Sequence, residues 1–163
     1  MQIEARQSVP DVVLKHMTAE GIKDISTRDL LSGKKVIVFG LPGAYTPVCS
    51  TSHLPGFVAE AEKLKAEGVD EIVCVAVNDP FVMSTWGEAH GASGKVLMMC
   101  DNTAALTTAL GMELDLSDIG LGTRSKRYSM VVENGVVTTV NVEGSIFDYE
   151  ASAASRLRAP VAA

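Results

Sequence analysis

Val36-Ile37-Val38-Phe39-Gly40-Leu41 runs directly into Pro42-Gly43-Ala44-Tyr45-Thr46-Pro47-Val48-Cys49, and this passage decides how the chain is read. The first part is a short, unbroken apolar run rich in β-branched residues, the pattern of a strand buried on both faces. Gly33-Lys34-Lys35 lead into it. In the second part Thr46 is a favoured helix N-cap and Pro47 suits the first helical position. Cys49 then falls in the first turn of a helix that starts at a strand end.

Outward from this passage, strand and helix patterns alternate. Residues 54–67 have helical spacing through Phe57, Ala61 and Leu64 and end at Gly68, a suitable C-cap. Residues 71–77 read as a second buried strand. Asn78-Asp79-Pro80 supply the cap and first turn of a helix carrying Phe81, Val82 and Trp86; Phe81, Trp86 and the seven methionines read as core filling. Residues 95–100 read as a strand and 103–110 as a short helix closed by Gly111. Residues 128–133 and 136–142 flank Asn134-Gly135, a strong hairpin signal. Residues 148–157 are expected to form a last helix. This order predicts one α/β domain over residues 1–163, with a central mixed sheet flanked by helices, compatible with a thioredoxin-like fold.

Composition narrows the function. The 163 residues are 47% hydrophobic and 21% charged, with a formal net charge of −6. An acidic balance argues against nucleic acid or an anionic membrane as partner. No apolar run approaches the roughly 20 residues that cross a bilayer, and the first residues carry no apolar targeting core. A cytoplasmic location is expected. The three cysteines, Cys49, Cys74 and Cys100, include no CxxC pair and suggest neither a disulfide framework nor a zinc site.

That leaves reactivity or burial as the reason for each cysteine. A helix N-terminus favours thiolate over thiol and can lower a cysteine pKa from about 8.5 to roughly 3.5–7.5. Oxidation is therefore expected first at Cys49, as an exposed thiolate. The residues alone leave plainer readings open: a small buried hydrophobe at Cys49, a simple cap at Thr46, a solvated basic approach to a strand at Arg124-Ser125-Lys126-Arg127. His53, four residues after Cys49, reads as a partly exposed histidine on the same helical face. His16 and His90 show no metal spacing.

Pro42-x-x-x-Thr46-x-x-Cys49 and the longer string PGAYTPVCSTSHLPGF over residues 42–57 resemble the type-II (subgroup-five) peroxiredoxins. The resemblance extends through Val77-Asn78-Asp79-Pro80-Phe81-Val82-Met83, Trp86-Gly87 and Gly120-Leu121-Gly122-x-Arg124-Ser125-x-Arg127-Tyr128-Ser129-Met130. It implies a two-stage peroxidase in which the Cys49 thiolate attacks a hydroperoxide, becomes a sulfenic acid and is restored by a thiol. It gives Thr46 a hydroxyl directed at sulfur and peroxide, Pro42 a shielding role, and Arg124 the task of polarising the substrate and favouring thiolate. It also implies a homodimer and no cofactor. Cys74 is a candidate resolving partner, although its strand position points to burial; Cys100 reads as core. No cysteine follows Cys100, so an external thiol such as glutathione with glutaredoxin, or thioredoxin, is the expected reductant. A redox sensor that passes its oxidation to a bound partner is the competing reading. A thioredoxin-like oxidoreductase without peroxide chemistry is a third, disfavoured by the missing CxxC.

Overall fold

The computed structural model describes residues 1–157, beginning with β1 (Val13–Thr18), β2 (Gly21–Ser26) and the short helix α1 (Thr27–Leu31). β3 (Lys35–Gly40) leads through a loop into α2 (Leu54–Ala66), β4 (Glu71–Ala76), α3 (Pro80–Ala89), β5 (Leu97–Cys100) and α4 (Ala105–Ala109). β6 (Glu113–Leu116) pairs with β7 (Gly122–Ser125) in a small separate sheet, and β8 (Tyr128–Glu133) and β9 (Val136–Val142) follow.

The central sheet has the order β2-β1-β5-β4-β3-β8-β9. Its middle strands β3, β4 and β5 are parallel, and the others add antiparallel on both sides. This is the mixed, helix-flanked, thioredoxin-like sheet that the sequence predicts. Period-two alternation splits the apolar run of β3 between two cores. Ile37 and Phe39 join α2 and α3 on one face, whereas Val36 and Val38 join α1 and α4 on the other. Both faces are covered, so the strand reads as continuous apolar sequence. Gly40 stands opposite Tyr128 in the ladder, and a Cβ there would overlap the tyrosine ring. The Asn134-Gly135 turn has both residues at positive φ, 49° and 80°, as a tight two-residue hairpin requires.

Several expectations are corrected. The β1–β2 hairpin and the β6–β7 pair had no counterpart in the reading. The helix expected over 148–157 is reduced to a 3₁₀ turn, Ala154–Leu157. The Glu150 and Ser152 amides donate to the Glu143 carboxylate, drawing the chain into a loop rather than a helix. Phe81 is not core: it is 65% exposed on α3, while Trp86 is fully buried.

Candidate active site

The loop after β3 is fixed from three sides. Ala44 N–H donates to Asn78 Oδ1 (2.9 Å), Arg124 Nη1 donates to the Pro42 carbonyl (3.1 Å), and the Thr46 hydroxyl donates to the Gly43 carbonyl (2.6 Å). Tyr45 is held at φ 64°, in the left-handed region that costs a non-glycine residue about 1–3 kcal/mol. The Arg124 guanidinium also donates to the Leu121 carbonyl (3.0 Å) and lies so close over Gly43 that a Cβ there would overlap it.

The helix begins at Pro47, as read, with the Ser50 amide bonded to the Thr46 carbonyl (3.0 Å). It does not continue as a regular α-helix. Cys49–His53 form a π-helical segment in which the Leu54 amide reaches back to the Cys49 carbonyl. Pro55 gives the reason: it has no N–H for the Thr51 carbonyl and its ring would crowd that carbonyl in an α-turn. A widened turn relieves both problems. Trp86 Nε1 donates to Ser50 Oγ (3.0 Å), tying α3 to this segment.

The guanidinium at the sulfur belongs to Arg127, not to Arg124. Arg127 Nη2 lies 3.3 Å from Cys49 Sγ and also donates to the Ile146 carbonyl (2.9 Å). Its Nε donates to the same carbonyl (3.2 Å), and its Nη1 lies 3.0 Å from His53 Nδ1. Arg124 is held away by its two carbonyl acceptors on the loop and on residue 121. The difference follows from topology. Arg124 belongs to β7 in the small sheet, whereas Arg127 directly precedes β8, hydrogen-bonded to β3. Arg127 shares the parity of Ser129 and Val131, which stand opposite Phe39 and Ile37, so it enters the core that contains Cys49.

Burial also differs from expectation. Cys49 is fully buried rather than exposed, and so is His53. The imidazole packs against Phe39, Phe57 and Tyr149. Burial, and then the charge of Arg127, push its pKa well below the ordinary histidine range. It is therefore neutral at pH 7. Because Arg127 donates to Nδ1, the ring proton is assigned to Nε2. That atom has no hydrogen-bond partner among the described residues.

A cavity of about 270 Å³ is lined by Pro42, Thr46, Ile146 and the same Arg127 that contacts the sulfur. Tyr45, Ile119 and Phe147 stand around it, 60%, 62% and 75% exposed. Arg127 both lines this cavity and contacts the buried sulfur, and Pro42 and Thr46 line the cavity with it. Cys74 and Cys100 are buried on β4 and β5, and all three cysteines are free. Burial, followed by the neighbouring Cys49 and Cys100, raises the Cys74 thiol well above its ordinary range. Burial and Asp79 push Cys100 up to about 12. His16 lines a separate surface hollow, and His90 packs edge-on against Trp86.

Fold and site together define a thioredoxin-like protein built around one buried, cation-bound cysteine at a strand-to-helix junction. The redoxin family model matches residues 4–157. The chain is 46% identical over 136 residues to peroxiredoxin-2D of Arabidopsis thaliana, covering 83% of this chain and 84% of that one. The reduced Prx3 of Vibrio vulnificus in complex with hydrogen peroxide superposes with a TM-score of 0.90 at 47% identity, covering 94% of this chain and 96% of that one. A Burkholderia cenocepacia protein described as a thioredoxin reductase gives a TM-score of 0.95 at 45% identity, over 100% of both chains. The chain belongs to the redoxin family as a type-II peroxiredoxin. It is a thiol-dependent peroxidase.

Proposed function

We propose that Cys49 is the peroxidatic residue, that Thr46 and Arg127 orient the hydroperoxide on it, and that an external thiol completes the cycle. The observation that carries this reading is that Arg127 contacts Cys49 Sγ and also lines a cavity shared with Pro42 and Thr46. In the first step the thiolate attacks the terminal peroxide oxygen. The S–O bond forms as the O–O bond breaks, sulfur is oxidised by two electrons, and the leaving oxygen departs as water or an alcohol after taking a proton. The Thr46 hydroxyl spends its one proton on the Gly43 carbonyl, so its lone pairs accept from the O–H of the peroxide. The Arg127 guanidinium supplies fixed donors where negative charge develops. Pro42 walls the sulfur from water, and Arg124 braces the Pro42 carbonyl rather than touching the substrate.

In the second step a thiol attacks the sulfenic sulfur, water leaves, and a further thiol releases the mixed disulfide. Cys74 is a poor candidate for that attack, because burial holds it as a thiol and the thiolate is the attacking form. Glutathione with glutaredoxin, or thioredoxin, remains the proposed reductant. The exposed collar of Tyr45, Ile119 and Phe147 suits small alkyl hydroperoxides and contact with a second copy in a homodimer. Free thiols suit a reducing compartment such as the cytoplasm. The test is steady-state peroxide consumption by wild type, Cys49→Ser, Cys74→Ser and Cys100→Ser with each reductant. Only Cys49→Ser is expected to be inactive. Activity surviving in Cys49→Ser, or lost in Cys74→Ser, overturns the assignment.

A further inference from the structure

Both neutral acceptors of the Arg127 guanidinium, the Ile146 carbonyl and His53 Nδ1, are neighbours of one surface segment, residues 144–152. Ile146 belongs to it. The Tyr149 ring packs on His53 with centroids 5.4 Å apart, and its hydroxyl lies so close over Gly56 that a Cβ there would overlap it. The segment forms no regular helix or strand. Something else must hold its shape.

Glu143 does so at the point where β9 ends. Its Oε1 accepts from Glu150 N–H (2.7 Å), Ser152 N–H (2.8 Å) and Ser152 Oγ (2.8 Å). Burial acts to raise the pKa of this carboxyl, but the Ser152, Glu150 and Ala151 donors outweigh it and hold the group below its ordinary range. The main chain of Glu143 is tied as well, its N–H donating to the Arg127 carbonyl (2.9 Å). A ring is thereby closed. It runs from the Arg127 backbone to the Glu143 backbone, through the Glu143 carboxylate to Ser152, back along the segment to Ile146, and from the Ile146 carbonyl to the Arg127 side chain.

We infer that Glu143 is a positioning residue for peroxide reduction, which acts by latching the 144–152 segment so that Ile146 and His53 aim Arg127 at the Cys49 sulfur. The inference rests on the proposed role of Arg127. It asks nothing of Glu143 at the reacting atoms; the carboxylate works through amide groups, a carbonyl and an imidazole. Without the latch the segment keeps its sequence but not its shape, and the guanidinium loses a fixed pair of acceptors. A displacement near 1 Å at a positioned group can cost about 100-fold in rate.

The test is the second-order rate of Cys49 oxidation by hydrogen peroxide, followed by stopped-flow fluorescence of Trp86, with thiolate absorbance and thermal melting recorded for each variant. Glu143→Ala is expected to slow oxidation by about 10- to 100-fold at temperatures where it remains folded. Glu143→Gln keeps one carbonyl acceptor and is expected to recover most of that loss. In an Arg127→Met background, Glu143→Ala should have little further effect, because the two act through one path. Should Glu143→Ala fail to fold, the same cycle is run with Ser152→Ala, which removes one donor to the carboxylate and is expected to slow oxidation severalfold with Arg127 present and not in the Arg127→Met background. An unchanged rate in the folded variant, or an equal further loss in the Arg127→Met background, overturns the inference. A wild type that does not consume peroxide overturns the proposed function instead, and the two failures are distinct.

Discussion

Arg127→Met and Arg124→Met separate the arginine that touches sulfur from the one that braces the loop. Arg127→Met removes the donor at 3.3 Å from Cys49 Sγ. Loss of one donor aimed at developing negative charge costs about 100- to 1000-fold in rate, or roughly 2.7–4 kcal/mol of barrier. The same change orphans the Ile146 carbonyl and His53 Nδ1, each at a cost of about 1–3 kcal/mol in stability. Arg124→Met instead loses two carbonyl contacts on a half-buried side chain, worth about 0.5–1.5 kcal/mol each. Its effect on rate is indirect, through the position of Pro42. The assay is stopped-flow oxidation by hydrogen peroxide, run well below the melting temperature of each variant. Arg127→Met should be slower than Arg124→Met by tenfold or more. Arg127→Lys should resemble Arg127→Met, because an ammonium cannot serve sulfur, imidazole and carbonyl with one planar fork. If folded Arg124→Met is as slow as Arg127→Met, the assignment of Arg127 fails.

Two further outcomes are expected. The pKa of His53 is depressed in the folded state, so its contribution to stability is complete above the unfolded value of about 6.5 and is lost as pH falls from there toward the folded value. Denaturant unfolding between pH 7 and 5 should show a decline of up to about 1.4 kcal/mol per pH unit from this group, and His53→Asn should flatten that decline; identical profiles would remove His53 from it. Cys49→Ser removes the sulfur that the buried guanidinium contacts and should lower the melting temperature of the reduced protein by several degrees, roughly 2–4 °C per kcal/mol for a chain of this size. An unchanged melting temperature would mean that Arg127 does not depend on the sulfur as a partner.

The parts of the molecule set by local chemistry were legible in the sequence. The apolar run of β3, the Thr46-Pro47 helix start, the Asp79 cap and the Asn134-Gly135 turn each depend on neighbours within a few residues, and each stands where it was read. What failed depended on partners distant in sequence. His53 looked exposed because the aromatic rings and the arginine that bury it come from β3, α2, the residue before β8 and the segment after β9. The final helix failed because the Glu143 carboxylate takes up its amide groups. Two signals were present and unused. Pro55 inside a helical pattern marked the π segment, and the parity of Arg127 with Ser129 and Val131 marked which arginine faces the cysteine.

The charge of Arg127 bears on why Cys49 is proposed to serve among three buried cysteines. The guanidinium is 2% exposed, and its hydrogen-bond partners among the described residues are a carbonyl, an imidazole and a sulfur, none of them a carboxylate. Neutral acceptors satisfy its N–H groups but leave its charge uncompensated, and an unpaired buried charge is strongly destabilising. Of these hydrogen-bond partners, the sulfur is the one whose deprotonated form would carry the opposite charge. Cys74 lies in the same core, but burial and its neighbours hold it as a thiol, and a second anion there would compete for the same cation. Cys100 is held as a thiol by burial and the Asp79 carboxylate. Depth of burial therefore does not single out the cysteine proposed to work, since all three are buried. A cation within hydrogen-bond reach does, and its placement follows from the parity of the one residue that directly precedes β8.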